Sequence, residues 1–92
     1  MFYSGDELLM VTPEDIKRWI EAGLAGAHVQ VDGDGHHFNA VIVSPAFSGK
    51  SMVEQHQMVY RALGDKMQAE IHALSMRTLT PEEWAREQGS AS

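Results

Sequence analysis

A tight turn between two alternating segments constrains this chain more than any other feature. Ala27, Val29 and Val31 alternate with His28, Gln30 and Asp32, and Phe38, Ala40 and Ile42 follow the same rhythm with His37 and Asn39 on the other side. Period-two patterning of this kind marks half-buried strands. Between the segments lies Asp34-Gly35, a favoured pair for a two-residue type I′ hairpin. Such a turn sets Gly33 opposite His36, Asp32 opposite His37 and Val31 opposite Phe38. The apolar residues of both strands then share one face, so pattern and turn agree. The other face, with His28, Gln30, Asp32, His37 and Asn39, is expected to be wet.

Helix signals surround the hairpin. In Thr12-Pro13-Glu14-Asp15 the threonine caps, the proline takes the first helical position and the acids sit near the positive end of the dipole. Ile16, Trp19 and Ile20 follow on one apolar face, and Gly23 is expected to stop the helix. Residues 44–50 read as a loop around Pro45 and Gly49, with Phe47 expected to plug the core. Ser51 with Glu54 makes a capping box for a helix to about Leu63, which Gly64 ends. Val59, Ala62 and Leu63 are its core candidates. Residues 65–70 add room for a short second helix, and residues 71–78 read as a third strand. Thr80-Pro81-Glu82-Glu83 repeats the capping logic for a last helix. Residues 1–9 show no clear period and are expected to be a flexible extension, with Met10 as an alternative start. Residues 10–88 form the one domain, and residues 89–92 are expected to be a disordered tail.

The helical crossover after the hairpin is long enough to make the second and third strands parallel and right-handed. The expected fold is α+β: a two-layer α/β sandwich in the order helix, strand, strand, helix (one or two), strand, helix, with a three-stranded mixed sheet.

Composition narrows the chemistry. Ninety-two residues make one small domain, of a size that buries only about 60–65% of its unfolded surface. The chain has no cysteine, which excludes disulfides and any metal site built from its own thiolates, and suits a reducing compartment. Seven basic against thirteen acidic residues give a formal charge of −6. That disfavours a sequence-independent grip on nucleic acid and leaves room only for a local basic patch. No apolar run approaches the ~20 residues of a membrane span. Residues 1–11 lack the basic start and long apolar stretch of a signal peptide, so the expected location is the cytoplasm. Phosphate-cradling glycine motifs and a nucleophile elbow are absent, and Ser51 reads as a cap. The acids fall mostly at helix starts, where they serve caps and dipoles. The six methionines read as core filler. No enzyme is indicated.

Five histidines carry what chemistry there is: His28, His36, His37, His56 and His72. Any one alone reads more readily as a surface or packing residue than as a ligand. His56, inside a helix, keeps that reading. Adjacent strand residues point to opposite faces, so His36 and His37 are not expected to hold one ion together. His37, opposite Asp32, forms either an ordinary polar pair or an imidazole oriented by a carboxylate. His72 begins the third strand. If strands two and three are parallel, it lies near the hairpin end, and strand parity groups it with His36. Two imidazoles at one rim would be half of a metal site whose other ligands come from elsewhere.

Four stretches occur in order: Val43-Ser44-Pro45-Ala46-Phe47-Ser48-Gly49-Lys50-Ser51, the helix carrying Gln55-His56 and Val59-Tyr60, Ile71-His72-Ala73-Leu74-Ser75, and Thr80-Pro81-Glu82-Glu83-Trp84. Together they resemble the BolA family over about residues 10–88, and Gly33-Asp34-Gly35-His36-His37-Phe38 looks like its compact acid-stress (YrbA/IbaG-like) subfamily. The resemblance implies a fold similar to a type II KH domain. It implies a non-enzymatic partner of monothiol glutaredoxins, monomeric or weakly dimeric when alone. In the complex a [2Fe-2S] cluster is shared among a glutaredoxin cysteine, glutathione and a histidine of the BolA-like chain. The family's C-terminal histidine maps onto His72 and its histidine before phenylalanine onto His37. A further ligand usually comes from the hairpin loop. Here that loop is a tight turn without cysteine, so His36 or His37 must serve, with geometry favouring His36 and motif position His37.

Family members have also been linked to transcriptional regulation through a helix-turn-helix-like surface. Where they often read Arg-His-Arg this chain reads Gln55-His56-Gln57, and Leu63-Gly64-Asp65-Lys66 lacks the Gly-x-x-Gly of a KH loop. Lys50, Arg61, Lys66 and Arg77 remain as contacts for DNA. The expectations are therefore an iron-sulfur interaction module, marked by His72 with His36 or His37, or alternatively a nucleic-acid-binding regulator, marked by a basic patch and salt-dependent binding.

Overall fold

A computed structural model describes residues 11–69 and 73–90. Helix α1 spans Pro13–Gly23. The Thr12 hydroxyl accepts the Asp15 N–H at 3.1 Å, and the Asp15 carboxylate accepts the Thr12 N–H at 3.0 Å. Proline in the first turn and this reciprocal box fix where α1 starts. Gly23 is the last helical residue rather than a left-handed stop, because Leu24 leaves the helix in an extended conformation. A Cβ on Gly23 would stand 2.9 Å from Ala62 Cα. Glycine there lets two helices approach.

Strands β1 (His28–Gly33) and β2 (His37–Val43) pair antiparallel, and β3 (Ala73–Leu79) pairs parallel to β2, giving the order β1-β2-β3. The mixed sheet is the expected one, but the hairpin register is not. Gly33 stands opposite Phe38, Asp32 opposite Asn39 and Val31 opposite Ala40, two residues away from type I′ pairing. The cause is Asp34, whose Oδ1 accepts the N–H groups of both His36 and His37 at 2.9 Å. This local side-chain cap competes with the tight turn and opens a wider one. Because the slip is an even number of residues, every side chain keeps its face. Val29, Phe38, Ala40 and Ile42 are buried, while His28, Gln30, Asp32, His37 and Asn39 are exposed.

Helix α2 (Met52–Leu63) begins on the Ser51–Glu54 capping box and ends at Gly64, at φ +62°. A short α3 follows at Lys66–Ala69, and α4 covers Pro81–Ser90. In α4 the Thr80 N–H donates to Glu83 at 2.8 Å and the Glu83 N–H to the Thr80 hydroxyl at 3.2 Å. Helix α4 thus runs through Gly89 and Ser90, which the sequence placed in the tail. The extension at residues 1–9 lies outside the described residues.

Both α1 and α2 pack toward the sheet's apolar face. Ile16, Ile20, Val29, Ile42, Phe47 and Val59 have no exposed surface, and Phe47 reaches the core from the 3₁₀ turn Pro45–Phe47. Met58, Met67 and Met76 pack against this core, but Met52 is 56% exposed and meets only the Thr78 hydroxyl with its sulfur, at 3.4 Å.

Gln55 is a core residue that the family comparison obscured. It is 8% exposed. Its amide donates to the Lys50 carbonyl at 3.0 Å and approaches the Phe47 carbonyl at 3.4 Å, and its Oε1 accepts the Thr78 hydroxyl at 2.6 Å. One side chain thus ties the 44–50 loop to β3. Replacing it by leucine keeps the volume, strands the Lys50 carbonyl and leaves the Thr78 hydroxyl only the Met52 sulfur at 3.4 Å. Urea unfolding of Gln55→Leu is expected to show a loss of about 2 kcal/mol, and an unchanged midpoint would show that water satisfies these groups.

Candidate metal centre

The parallel pairing brings the starts of β2 and β3 level, with His37 opposite Ala73. His37 heads β2 and is exposed, and His36, also exposed, sits in the turn just before it. Strand parity therefore does not govern His36, and the expectation that parity groups it with His72 loses its basis. Asp32 meets Asn39, whose Nδ2 lies 3.4 Å from its Oδ1, so it is not the carboxylate across from His37. Asp34 takes a different part, holding the backbone of both histidines.

His72 lies outside the described residues. It immediately precedes Ala73 in the chain, one Cα step of ~3.8 Å away. Among the described residues no group of three or more His, Asp or Glu could hold a metal ion, and the chain has no cysteine. The donors at this end are imidazoles without thiolates. They suit a group whose remaining ligands another molecule supplies.

Hydrogen bonds from the His37 and His36 backbones hold the Asp34 carboxyl below its ordinary pKa, with the His36 charge adding to the effect. A carboxylate depressed in the folded state contributes stability above its unfolded value, and that contribution is lost as pH falls through the folded value. The turn should therefore hold at neutral pH and loosen only below about pH 4. The His36 and His37 amide shifts should titrate together there by NMR. A midpoint above the ordinary aspartate value would contradict the cap.

The four cations proposed for nucleic acid are not assembled into one stripe. Lys66 places its ammonium 5.0 Å from the Trp19 ring centroid. Arg77 forms a two-pronged pair with Glu87, Nη1 donating to Oε1 at 2.8 Å and Nη2 to Oε2, which raises the arginine pKa. Lys50 and Arg61 line a hollow of about 220 Å³ with Glu54, Gln57 and Met58. Gln55 is buried, so of the two glutamines flanking His56 only Gln57 faces solvent. Among the described residues the wet sheet face presents His28, Gln30, Asp32, His37, Asn39, Ser75 and Arg77, and its strands carry no Phe, Tyr or Trp there on which a base could stack. His56 packs half-buried as expected, its Nε2 buried without a hydrogen-bond partner. At the far end of β3, Met52, Thr78, Leu79 and Arg86 help line a larger hollow of about 370 Å³.

Residues 21–83 match the family of BolA-like proteins. The chain belongs to the BolA family. It is 38% identical over 74 residues to the acid stress protein IbaG of Escherichia coli (strain K12), spanning 79% of this chain and 88% of that protein. It is 42% identical over 52 residues to the DNA-binding transcriptional regulator BolA of Haemophilus influenzae, 56% of this chain and 50% of that one. A 42% identical stretch of the Arabidopsis thaliana SufE-like protein 1 covers 76% of this chain but only 19% of that protein. A bolA protein homologue from Coxiella burnetii superimposes with a TM-score of 0.79 at 52% identity, covering 84% of this chain and all of that one. That structure shares the α+β fold. Among the described residues no helix is long and apolar enough to cross a membrane.

Proposed function

We propose that this BolA-family domain is an interaction module that docks beside a monothiol glutaredoxin and co-ligates its [2Fe-2S] cluster through histidine. The observation that carries the reading is the level start of β2 and β3, with His37 opposite Ala73 and His72 next to Ala73 in the chain. His72 is the first ligand, and His37 or His36 the second. The described residues offer no complete ligand set, which fits a cluster held jointly with a glutaredoxin cysteine and glutathione. The chain's own part is to present imidazole from a rim whose backbone Asp34 fixes. When bound, such a cluster supplies an iron centre whose potential rises as imidazole replaces thiolate. The role is adaptor or regulator in iron-sulfur trafficking rather than enzyme, and the lack of cysteine suits the cytoplasm.

The test is a titration of cluster-loaded monothiol glutaredoxin with this protein, followed by visible absorption and circular dichroism. A new, saturable spectrum supports joint ligation, and an unchanged spectrum sinks it for that partner.

A second reading, a DNA-binding regulator, draws on the similarity to the Haemophilus protein of that name. The pairing of Arg77 with Glu87 and the placement of Lys66 over Trp19 weigh against it, because both cations already have partners. Binding to duplex DNA with a steep salt dependence would favour it.

A further inference from the structure

Among the described residues the large apolar side chains left exposed are Met52 at 56%, Val53 at 66% and Tyr60 at 43%. All three belong to α2. At 100° per residue, Val53 and Tyr60 lie within about 20° of each other on the helix, whereas Met52 falls about 80–100° away, on the side of Val59 and Leu63 and against Thr78. Gln55, Val59 and Leu63 occupy the buried side, so the apolar flank is a second face that the core does not use. Isolated exposed apolar residues need no explanation, but two side by side on one helix flank and edged by cations form a patch.

Charge frames the flank. Lys50 precedes α2 and Arg61 follows Tyr60. Lys17, Arg18 and Arg77 are all in ion pairs, whereas among the described residues Lys50 and Arg61 are in none. The Glu54 carboxylate beside Lys50 accepts the Ser51 N–H at 2.8 Å and is committed to the cap. A chain of net charge −6 therefore places two cations outside any salt bridge of the described residues along its exposed apolar helix face. The Ser51 hydrogen bonds, with the charge of Lys50 adding to them, hold the Glu54 carboxyl below its ordinary pKa. A second copy of this acidic chain is a poor match overall, and a different protein with carboxylates around an apolar patch is a good one.

The position links this face to the histidines. Met52 and Gln55 touch Thr78, near the far end of β3, so α2 begins there and runs back toward the starts of β2 and β3. Tyr60 and Arg61 lie on its last turn, before the chain passes through α3 toward β3. We propose that the α2 flank of Val53 and Tyr60, edged by Lys50 and Arg61, docks the cluster-bearing partner through an apolar patch rimmed with carboxylates. The proposal rests on the cluster-sharing reading above and separates docking from ligation.

The experiment compares two double variants, Val53→Asp with Tyr60→Asp and Lys50→Glu with Arg61→Glu, against wild type and His72→Ala. Each is titrated into cluster-loaded monothiol glutaredoxin, with thermal melts confirming folding. Both double variants should bind about tenfold more weakly or worse, yet reach the wild-type spectrum at saturation because their histidines are intact. His72→Ala should do the reverse, still forming the complex by sedimentation while losing the spectral change. Wild-type affinity in both double variants overturns the docking face while leaving shared ligation standing. A wild-type protein that neither binds nor alters the spectrum sinks docking and ligation together. If sedimentation equilibrium shows the variants disrupting only self-association, with glutaredoxin binding intact, the flank belongs to a second copy and the proposal fails.

Discussion

With alanine at position 72, the protein is expected to leave the visible circular dichroism of a cluster-loaded monothiol glutaredoxin unchanged, where wild type converts it to a new, saturable spectrum. The expectation follows from how few donors this chain brings. It has no cysteine, and its described residues assemble no three-donor site, so no thiolate or neighbouring carboxylate set stands ready to substitute. Losing one imidazole from a shared site should therefore remove the spectroscopic change outright rather than weaken it. Alanine at His36 and at His37, tested separately, then decides the second ligand. His37 heads β2 opposite Ala73, and His36 sits one residue back in the turn. Only the ligand of the two should reproduce the His72→Ala loss. If His72→Ala gives the full wild-type spectrum, histidine co-ligation at this rim is wrong, however tightly the two proteins bind.

The fold could be read in large part because its signals are local. Thr12, Ser51 and Thr80 each satisfy the first-turn amides of a helix, and each is matched by an acid three residues later that reaches back. Such pairs act over a few ångströms and need no tertiary context. Strand faces were also legible, and they survived an error in register. Side-chain direction repeats every two residues, so the slip of two that Asp34 imposes moves Asp32 from His37 to Asn39 without turning any apolar residue outward. Turn type was harder to read, because Asp-Gly favours a tight hairpin while the same aspartate, given two amides to cap, favours a wider one.

The candidate site was legible where it depends on strand order and hidden where it depends on long-range partners. A helical crossover makes β2 and β3 parallel and so brings His37 level with Ala73. By contrast, counting charges cannot reveal that Trp19 lies beneath Lys66 or that Glu87 takes Arg77, since those partners meet only after α1 and α4 have packed. Gln55 is an intermediate case. Its spacing of four from Val59 and eight from Leu63 places it on the core face, although glutamine is a residue type that composition assigns to the surface.

Gly33→Ala is expected to be the most damaging single-methyl change in the protein, and its damage should reach the histidines. A Cβ at residue 33 would stand 2.3 Å from the His37 carbonyl oxygen, 2.7 Å from Phe38 Cδ1 and 2.9 Å from Phe38 Cα. Two of these are backbone atoms of the paired strand, which no rotamer change can move aside. The φ of +156° at Gly33 is also one that residues with side chains rarely adopt. That same His37 carbonyl accepts the Asp34 N–H at 3.2 Å, so relieving the clash means opening the turn that Asp34 caps. Backbone strain and overpacking together should remove about 3 kcal/mol or more. A domain of this length has only ~5–14 kcal/mol in total, so the urea midpoint should fall sharply, with the largest amide shift changes at residues 34–38. If the rim acts as proposed, the folded fraction of Gly33→Ala should also couple poorly to a glutaredoxin cluster although every histidine is present. A stability loss under about 0.5 kcal/mol, the range of an ordinary surface change, would mean that the turn is not held in the geometry that places His36 and His37.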